Sequence, residues 1–329
     1  MRFYIPNISL LLFVLALLAT GLQPVFAQQD PQFSQYMQLP GSFNPAVTGL
    51  SNDIQAAVIN RQQWIGVDHA GNTLTATVGS PVSSKNNKHG IGLSLGKDQI
   101  GLFSTQIFQA QYAYRFPLLN GLLSLGIQGG VLQKGFDASG IFIPTTDFHV
   151  PNETFMPNGT LEGMAPDMSA GVWFENSTLY MGLSATHLLE SSIKMKVENS
   201  QTGSNDPVFM PDRTYYFTGG YNIVTSNPFY TLQPSLLVKT DLISMQLDLT
   251  AKLLYKDLYW GGVGWRKGES MIVMAGLKMK QGLKIGYAYD IPNAQMATYS
   301  SGSHEIFLGY AFKRSTMSTG KKQKSVRIL

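Results

Sequence analysis

Apolar and polar residues alternate along most of this chain. In residues 283–290, Ile285 and Tyr287 fall on one face of an extended chain, and Lys284 and Asp290 fall on the other. A period of two residues is typical of β-strands whose two faces meet different surroundings. The pattern predicts an all-β protein.

Fourteen segments carry this alternation and are separated by turn residues. The predicted strands are residues 53–61, 72–79, 88–97, 104–116, 121–134, 165–175, 178–188, 213–224, 230–240, 244–254, 258–266, 270–279, 283–290 and 303–312. The longest connections follow odd-numbered strands, at 62–71, 135–164, 189–212 and 291–302. Bacterial outer-membrane barrels have short periplasmic turns and longer outer loops. We therefore expect a transmembrane antiparallel outer-membrane β-barrel of about 14 strands with both termini in the periplasm.

The charged residues within the strands indicate which face meets lipid. Asp248 and Lys252 lie on one face of residues 244–254, opposite Leu247, Leu249 and Leu253. A basic side chain at the bilayer midplane costs roughly 2–4 kcal/mol on the lipid side, so the polar faces are expected to line the interior. The alternative is a soluble β-sandwich or barrel with one face on a core and the other in water. Aromatic residues near the strand ends favour the membrane interpretation.

The first 27 residues resemble a secretory signal. Arg2 gives the positive start, residues 8–19 the apolar run, and Ala27 ends a small-residue cleavage site. About 12 apolar residues are too few to span a bilayer, so cleavage after Ala27 is expected, followed by export to the cell outer membrane. A basic segment, residues 313–329, is predicted to be a flexible periplasmic tail.

Catalytic motifs are weak in this sequence. Residues 92–96 match Gly-x-Ser-x-Gly, but that motif requires a strand-to-helix turn, and Ser94 lies within a predicted strand. The five histidines are scattered, and none has a second ligand at metal-site spacing. We therefore predict no catalytic, cofactor-binding or metal-binding residues and no enzyme. A lipid-modifying enzyme that uses Ser94 remains a weaker alternative.

Residues 28–52 differ from the predicted barrel, residues 53–312. Pro31 and Pro45 disfavour a strand, yet Phe33 and Tyr36 make the segment too apolar for a plain linker. We hypothesise that it packs against the barrel, where it either plugs the lumen or caps the periplasmic mouth.

Several motifs, in this order, resemble one family of membrane proteins. They are Gln28–Met37, Phe43–Gly49, Arg61–Gly66, Asp167–Gly171, Gly182–His187, Gly286–Asp290, Gly302–Glu305 and Gly309–Phe312. Together they resemble the PorP/SprF family of type IX secretion system membrane proteins of the Bacteroidetes. On this resemblance, the family-motif residues expected to form the plug or contact a partner are Asp30, Pro31, Gln32, Phe33, Ser34, Gln35, Tyr36, Asn44, Pro45, Gly49, Arg61 and Trp64. For Arg61 and Trp64 the favoured alternative is a structural role, in which they position the first strand and its loop.

The resemblance also implies a function. Members are outer-membrane barrels that support export or surface attachment of secreted proteins, including gliding adhesins with a C-terminal sorting domain. They are linked to periplasmic ring and peptidoglycan-binding components, and no cofactors are implied.

Two predicted outer loops, 135–164 and 189–212, are the candidates for contact with cargo. The first has side chains typical of interfaces, namely Phe142, Phe148, Phe155 and Met156. The alternative is that these residues only fold the loop onto the barrel. For the whole protein, the competing interpretation is a passive porin or a fatty-acid-type channel, which requires an open lumen.

Overall fold

The computed structural model describes residues 30–82, 88–140, 159–197 and 207–313. Within these ranges the protein is an antiparallel β-barrel whose wall consists of fourteen strands. They are β1 (Ile54–Gln62), β2 (Asn72–Pro81), β3 (His89–Ile100), β4 (Phe103–Leu118), β5 (Gly121–Asp137), β6 (Thr160–Glu175), β7 (Leu179–Thr186), β8 (Thr214–Tyr221), β9 (Tyr230–Thr240), β10 (Met245–Tyr255), β11 (Tyr259–Arg266), β12 (Ser270–Lys278), β13 (Leu283–Pro292) and β14 (Ser303–Phe312).

The barrel closes between the first and last strands. β1 pairs with β2 on one side and with β14 on the other, with Ile54 opposite Phe312. Every other wall strand pairs with its two neighbours in the chain. Closure removes the open edges that a flat sheet would have at its first and last strands, as a sheet in contact with lipid requires. Among the described residues, no helix is long and apolar enough to span a membrane.

The two ends of the barrel differ. The connections at the end where β1 begins and β14 finishes are eight residues or shorter, and we call this end the turn end. It includes the tight turn at residues 119–120 and the connections 176–178 and 256–258. The opposite end, the loop end, has the long connections 187–213 and 293–302, together with the short ones 101–102 and 267–269.

The outer face is apolar and the inner face is polar, as the alternation predicts. On β4, Phe108 and Tyr112 are exposed on the outside, whereas Gln109 and Arg115 are buried on the inside. Asp248 of β10 is also buried on the inside. The prediction that the polar faces line the interior is confirmed.

The strand count and most strand limits agree with the prediction, and the differences lie at the loop end. β5 continues to Asp137 and β6 begins at Thr160, so the connection predicted at 135–164 is shorter. The described part of the predicted loop 189–212 contains three short strands. These are Ile193–Lys194, which pairs with Val208–Phe209, and Lys196–Val197, which pairs with β6.

An inner apolar patch explains this extra structure. Leu132 of β5 and Leu161 of β6 face inward and are buried against Ile193 and Met195 of the connection. Burying such side chains is worth about 1.5–3 kcal/mol each, so the connection folds onto the wall.

Candidate functional site

Residues 30–50 form a compact segment that precedes the first strand. It consists of three short 3-10 turns, Tyr36–Gln38, Pro40–Ser42 and Pro45–Val47. Proline fits the first position of such a turn because its missing N–H has no partner to lose there. The Asn44 side chain caps the third turn by accepting a hydrogen bond of 3.0 Å from the Ala46 nitrogen. We call residues 30–50 the luminal segment.

The luminal segment lies inside the barrel because its contacts reach the inner side of the wall in all directions. Its hydrogen-bond partners include Glu305 of β14, Ser235 of β9, Val172 of β6, Ser124 of β5 and Gln111 of β4. A cap on one rim of the barrel would contact only the strand ends. The structure thus places these residues in the lumen.

A carboxylate on β14 holds the start of the segment. The two oxygens of Glu305 accept hydrogen bonds of 2.7 Å from the backbone nitrogens of Ser34 and Gln35. The Ser34 hydroxyl donates to Asp290 at 2.6 Å. Such charge-assisted bonds are roughly twice as strong as neutral ones. They fix the backbone of the segment as well as its side chains.

Two arginines pair with the three buried carboxylates of this region. Arg61 lies 2.7 Å from Asp290 and 3.5 Å from Glu305. Arg266 lies 3.1 Å from Asp248 and 2.9 Å from Asp290. These side chains are at most 3% exposed, so removing one partner would leave an uncompensated buried charge. We call these five residues the ion-pair network.

A second anchor lies at Asp30. Its carboxylate accepts hydrogen bonds from Tyr216 at 2.7 Å and Thr186 at 2.8 Å, and its other oxygen lies 2.7 Å from Nε2 of His187. The Lys239 ammonium group donates to the Asp30 carbonyl oxygen at 2.6 Å. Strands β7, β8 and β9 therefore hold the beginning of the described chain.

The charge state of the second anchor follows from its surroundings. Burial alone lowers the pKa of His187, but the Asp30 carboxylate and Asp167, 3.1 Å from Nδ1, outweigh burial and raise this pKa to about 10. Burial alone raises the pKa of Asp30, but His187, Tyr216 and Lys239 together outweigh it and hold this pKa well below its usual range. At neutral pH the anchor is an ion pair.

Apolar contacts fill the space between the anchors. Phe33, Tyr36, Leu39 and Phe43 are each at most 6% exposed. They pack against inward-facing side chains of the wall, which are Ile59, Tyr216, Leu237 and Phe307. The rings of Phe43 and Tyr216 stack with their centroids 5.1 Å apart.

Two inward-facing glycines let the segment approach the wall closely. A side chain at Gly126 of β5 would collide with the Ala46 backbone, and one at Gly171 of β6 would collide with Asn44. The Asn44 amide donates instead to the carbonyl oxygen of Val172 at 3.1 Å. These glycines leave room for the luminal segment.

A cavity of about 940 Å³ lies between the luminal segment and the loop end. Asp30, Phe33 and Phe43 of the segment form part of its lining. Phe209 and Tyr299 of the loop-end connections line it as well. The lumen is therefore filled toward the turn end and hollow toward the loop end.

The structure brings most of the site residues predicted from the sequence into this region. Gln32 donates to Glu269 at 2.9 Å, and Pro31 lines the cavity. Gly49 has a φ of 65°, which favours glycine. Trp64 also lines the cavity, and its backbone nitrogen donates to the Ser303 hydroxyl at 3.1 Å.

Four other predicted site residues lie outside the described part of the chain. They are Phe142, Phe148, Phe155 and Met156. The predicted signal, residues 1–27, and the tail beyond Lys313 also lie outside it.

The sequence analysis missed Arg266 and the roles of Lys239 and Tyr216. The available signal was a charged or aromatic residue at an inward position of a strand, but alternation alone does not show which of these meet the segment. Ser94 is buried on the inner face of β3. Ser94 of β3 lies opposite Gln109 of β4, which lies opposite Gly130 of β5, which in turn lies opposite Asp167 of β6. Asp167, the partner of His187, is therefore three strands away from Ser94.

The family of the chain follows from comparison with known proteins. The family model described as type IX secretion system membrane protein PorP/SprF matches residues 25–310. The chain belongs to the PorP/SprF family. Together with the barrel fold, this makes it an outer-membrane component of the type IX secretion system. Both the family and the fold are of non-enzymatic types.

The solved structures that resemble the chain are outer-membrane barrels. Omp33 of Acinetobacter baumannii is 8% identical over 81% of this chain and 100% of its own, with a TM-score of 0.43. A Pseudomonas aeruginosa FadL homologue is 10% identical over 83% of this chain and 94% of its own, with a TM-score of 0.45. The CymD monoaromatic hydrocarbon channel is 10% identical over 88% of this chain and 95% of its own, with a TM-score of 0.48. No curated protein matches the chain in sequence.

Proposed function

We propose that this protein is a docking module of the type IX secretion system that supports export or surface anchoring of secreted proteins with a C-terminal sorting domain. Gliding adhesins are the expected type of cargo. The observation that carries the proposal is the luminal segment, which is bound to strands on every side of the barrel. A lumen filled in this way favours holding a partner over conducting solutes.

In this proposal the loop end faces the outside of the cell and the turn end faces the periplasm. The length of the connections supports this orientation, because outer-membrane barrels have their short turns in the periplasm. The cavity and the connections 138–159 and 187–213 then face the cargo. The turn end then meets the periplasmic ring and the peptidoglycan-binding components.

A deletion strain tests the function. We expect an in-frame deletion to remove one or more sorted proteins from the cell surface, as measured by quantitative proteomics of surface and medium fractions. Loss of one adhesin would indicate a dedicated partner, and loss of many would indicate a general component. No change in either fraction would overturn the proposal and favour a channel.

A loop deletion tests the cargo contact separately. Removing residues 140–160 should leave the barrel folded and inserted but release cargo into the medium. Unchanged cargo on the cell surface, with normal amounts of barrel, would rule out this loop as the contact.

A further inference from the structure

Three lysines face the lumen close to the turn end. Lys252 of β10, Lys278 of β12 and Lys284 of β13 occupy inward positions, in phase with the buried Asp248 and Asp290. Lys278 and Lys284 are direct cross-strand partners. The Cβ atoms of such a pair lie about 4.5–5.5 Å apart, and like charges at this position destabilise a sheet.

Little negative charge compensates this lysine cluster. Asp257 lies 2.6 Å from the Lys278 ammonium group, in an exposed ion pair. Within the described ranges, Lys252 and Lys284 have no carboxylate within 4 Å. The Lys252 ammonium group lies 5.6 Å from the centre of the Trp260 ring, and the three lysines repel one another. The repulsion among the three like charges opposes folding.

Trp260 separates the lysine cluster from the luminal segment. Its indole covers Gly276 and Gly286, where a side chain would collide with the ring. Met37 of the luminal segment packs against the cluster of apolar residues that contains Trp260. The lysines thus lie beside an aromatic surface, on the way from the turn end to the segment.

The rim around the cluster is also basic. Exposed lysines at the turn end of the described chain are Lys88, Lys256, Lys280 and Lys313. With the three luminal lysines, they outnumber the carboxylates at this end, which are Asp53, Glu175 and Asp257. The field at this end attracts anionic groups.

We infer that the lysine cluster is a binding site for an acidic segment of a protein partner, whose carboxylates pair with Lys252, Lys278 and Lys284. A lipid head group is the less suitable ligand because these side chains point into the lumen, away from the lipid-facing side of the wall. That the partner is periplasmic rests on the proposed function, which places the turn end in the periplasm. The affinity for acidic peptide does not rest on it.

Peptide binding to the purified full-length protein in detergent tests the inference. The probe is a fluorescein-labelled hexaglutamate peptide, and its anisotropy gives the dissociation constant. We expect K252Q/K278Q/K284Q to bind roughly tenfold or more weakly, since three charge-assisted contacts are lost. Raising the salt concentration should also weaken the binding of the peptide to the unmodified protein.

The matched control removes the same charge from the rim. K88Q/K256Q/K313Q should weaken binding by less than about threefold, as expected for exposed charges. Equal losses in both triple variants would overturn the inference, as would no loss in the luminal variant. Inorganic phosphate and unlabelled hexaglutamate are also compared as competitors of the labelled peptide. If phosphate displaces the labelled peptide at a tenfold lower concentration than hexaglutamate does, the site selects phosphate and the inference is overturned.

Asp257 offers a test in the opposite direction. It competes for Lys278, so D257N should bind hexaglutamate about threefold more tightly. Weaker binding by D257N would contradict the site. If the deletion strain keeps all its surface proteins while the peptide results hold, the proposed function fails and the acidic-peptide site stands.

Discussion

At the scale of single residues, Ser34 connects the luminal segment to the ion-pair network. Its hydroxyl donates to Asp290 and accepts a hydrogen bond of 2.9 Å from Arg61, and its nitrogen donates to Glu305. Two guanidinium groups face three carboxylates in this network, so the extra negative charge depends on donors from the segment. The segment is therefore part of the electrostatic balance of the wall.

The first prediction concerns Arg61. R61Q leaves Asp290 and Glu305 short of a counter-charge inside the barrel, so we expect the free energy of unfolding to fall by roughly 3–5 kcal/mol. Urea unfolding in detergent measures it. The control is R213Q, which breaks an exposed pair with Glu190 and should cost about 1 kcal/mol or less. Equal effects of the two variants would show that the network does not stabilise the fold.

The second prediction concerns pH. His187 has a folded pKa of about 10, above its unfolded value of 6.5, so its stabilising effect is complete below pH 6.5 and is lost as the pH rises through 10. The pKa of Asp30 is lowered, so its effect is present above its unfolded value of 3.8 and is lost as the pH falls through the folded pKa. The ion pair is therefore intact at neutral pH.

NMR titration of the imidazole and unfolding at several pH values measure this. The unmodified protein should lose stability between pH 7 and pH 10 relative to H187Q, in which Asp30 and Lys239 are retained. A His187 imidazole that loses its proton near pH 6.5 would contradict the assignment.

At the scale of elements, the glycines of the wall determine how closely the luminal segment docks. The third prediction is that G126V in β5 displaces the segment near Ala46, because the added side chain occupies the space of its backbone. We expect faster amide hydrogen exchange in residues 40–50 while the barrel stays folded. The matched control is G129V on the same strand, where the nearest atoms to an added Cβ are 3.9 Å away. Exchange that rises equally in both variants would contradict the docking role of Gly126.

The sequence predicted the strands well and the contacts of the luminal segment poorly, for physical reasons. Each strand is visible as a local pattern in the sequence, because lipid on one face and the lumen on the other make successive residues alternate between apolar and polar. Most neighbouring strands are joined by short connections, so each strand has few possible pairing partners. The β-strand limits therefore followed from alternation, except near Leu161, where a connection covers the inner face.

The anchors have no such local signal. Asp30 meets His187 and Tyr216 across 157 and 186 positions of the chain. Ser34 and Glu305 are 271 positions apart. Prolines and aromatic residues marked the segment as unusual, but its partners depend on the closed barrel. Only the assembled wall brings those residues together.

At the scale of the whole molecule, closure brings the two ends of the wall together and leaves one compact segment to fill the space inside. A barrel of fourteen strands is wider than the eight-stranded barrels whose interiors are filled by wall side chains alone. Here the luminal segment supplies the missing volume toward the turn end, and the cavity of about 940 Å³ remains toward the loop end. The two ends of the lumen thus differ in the space that they leave.

The fourth prediction follows from this arrangement. Removing residues 30–48 should open the lumen, because the side chains that fill it, among them Phe33 and Phe43, are then absent. The remaining ion-pair network faces inward and becomes hydrated, so the barrel should still insert. Single-channel recordings in planar bilayers should show a steady conductance for this variant and only brief or no openings for the unmodified protein. A steady conductance of equal size in both proteins would mean that the segment leaves a continuous path, and the barrel would then function as a channel.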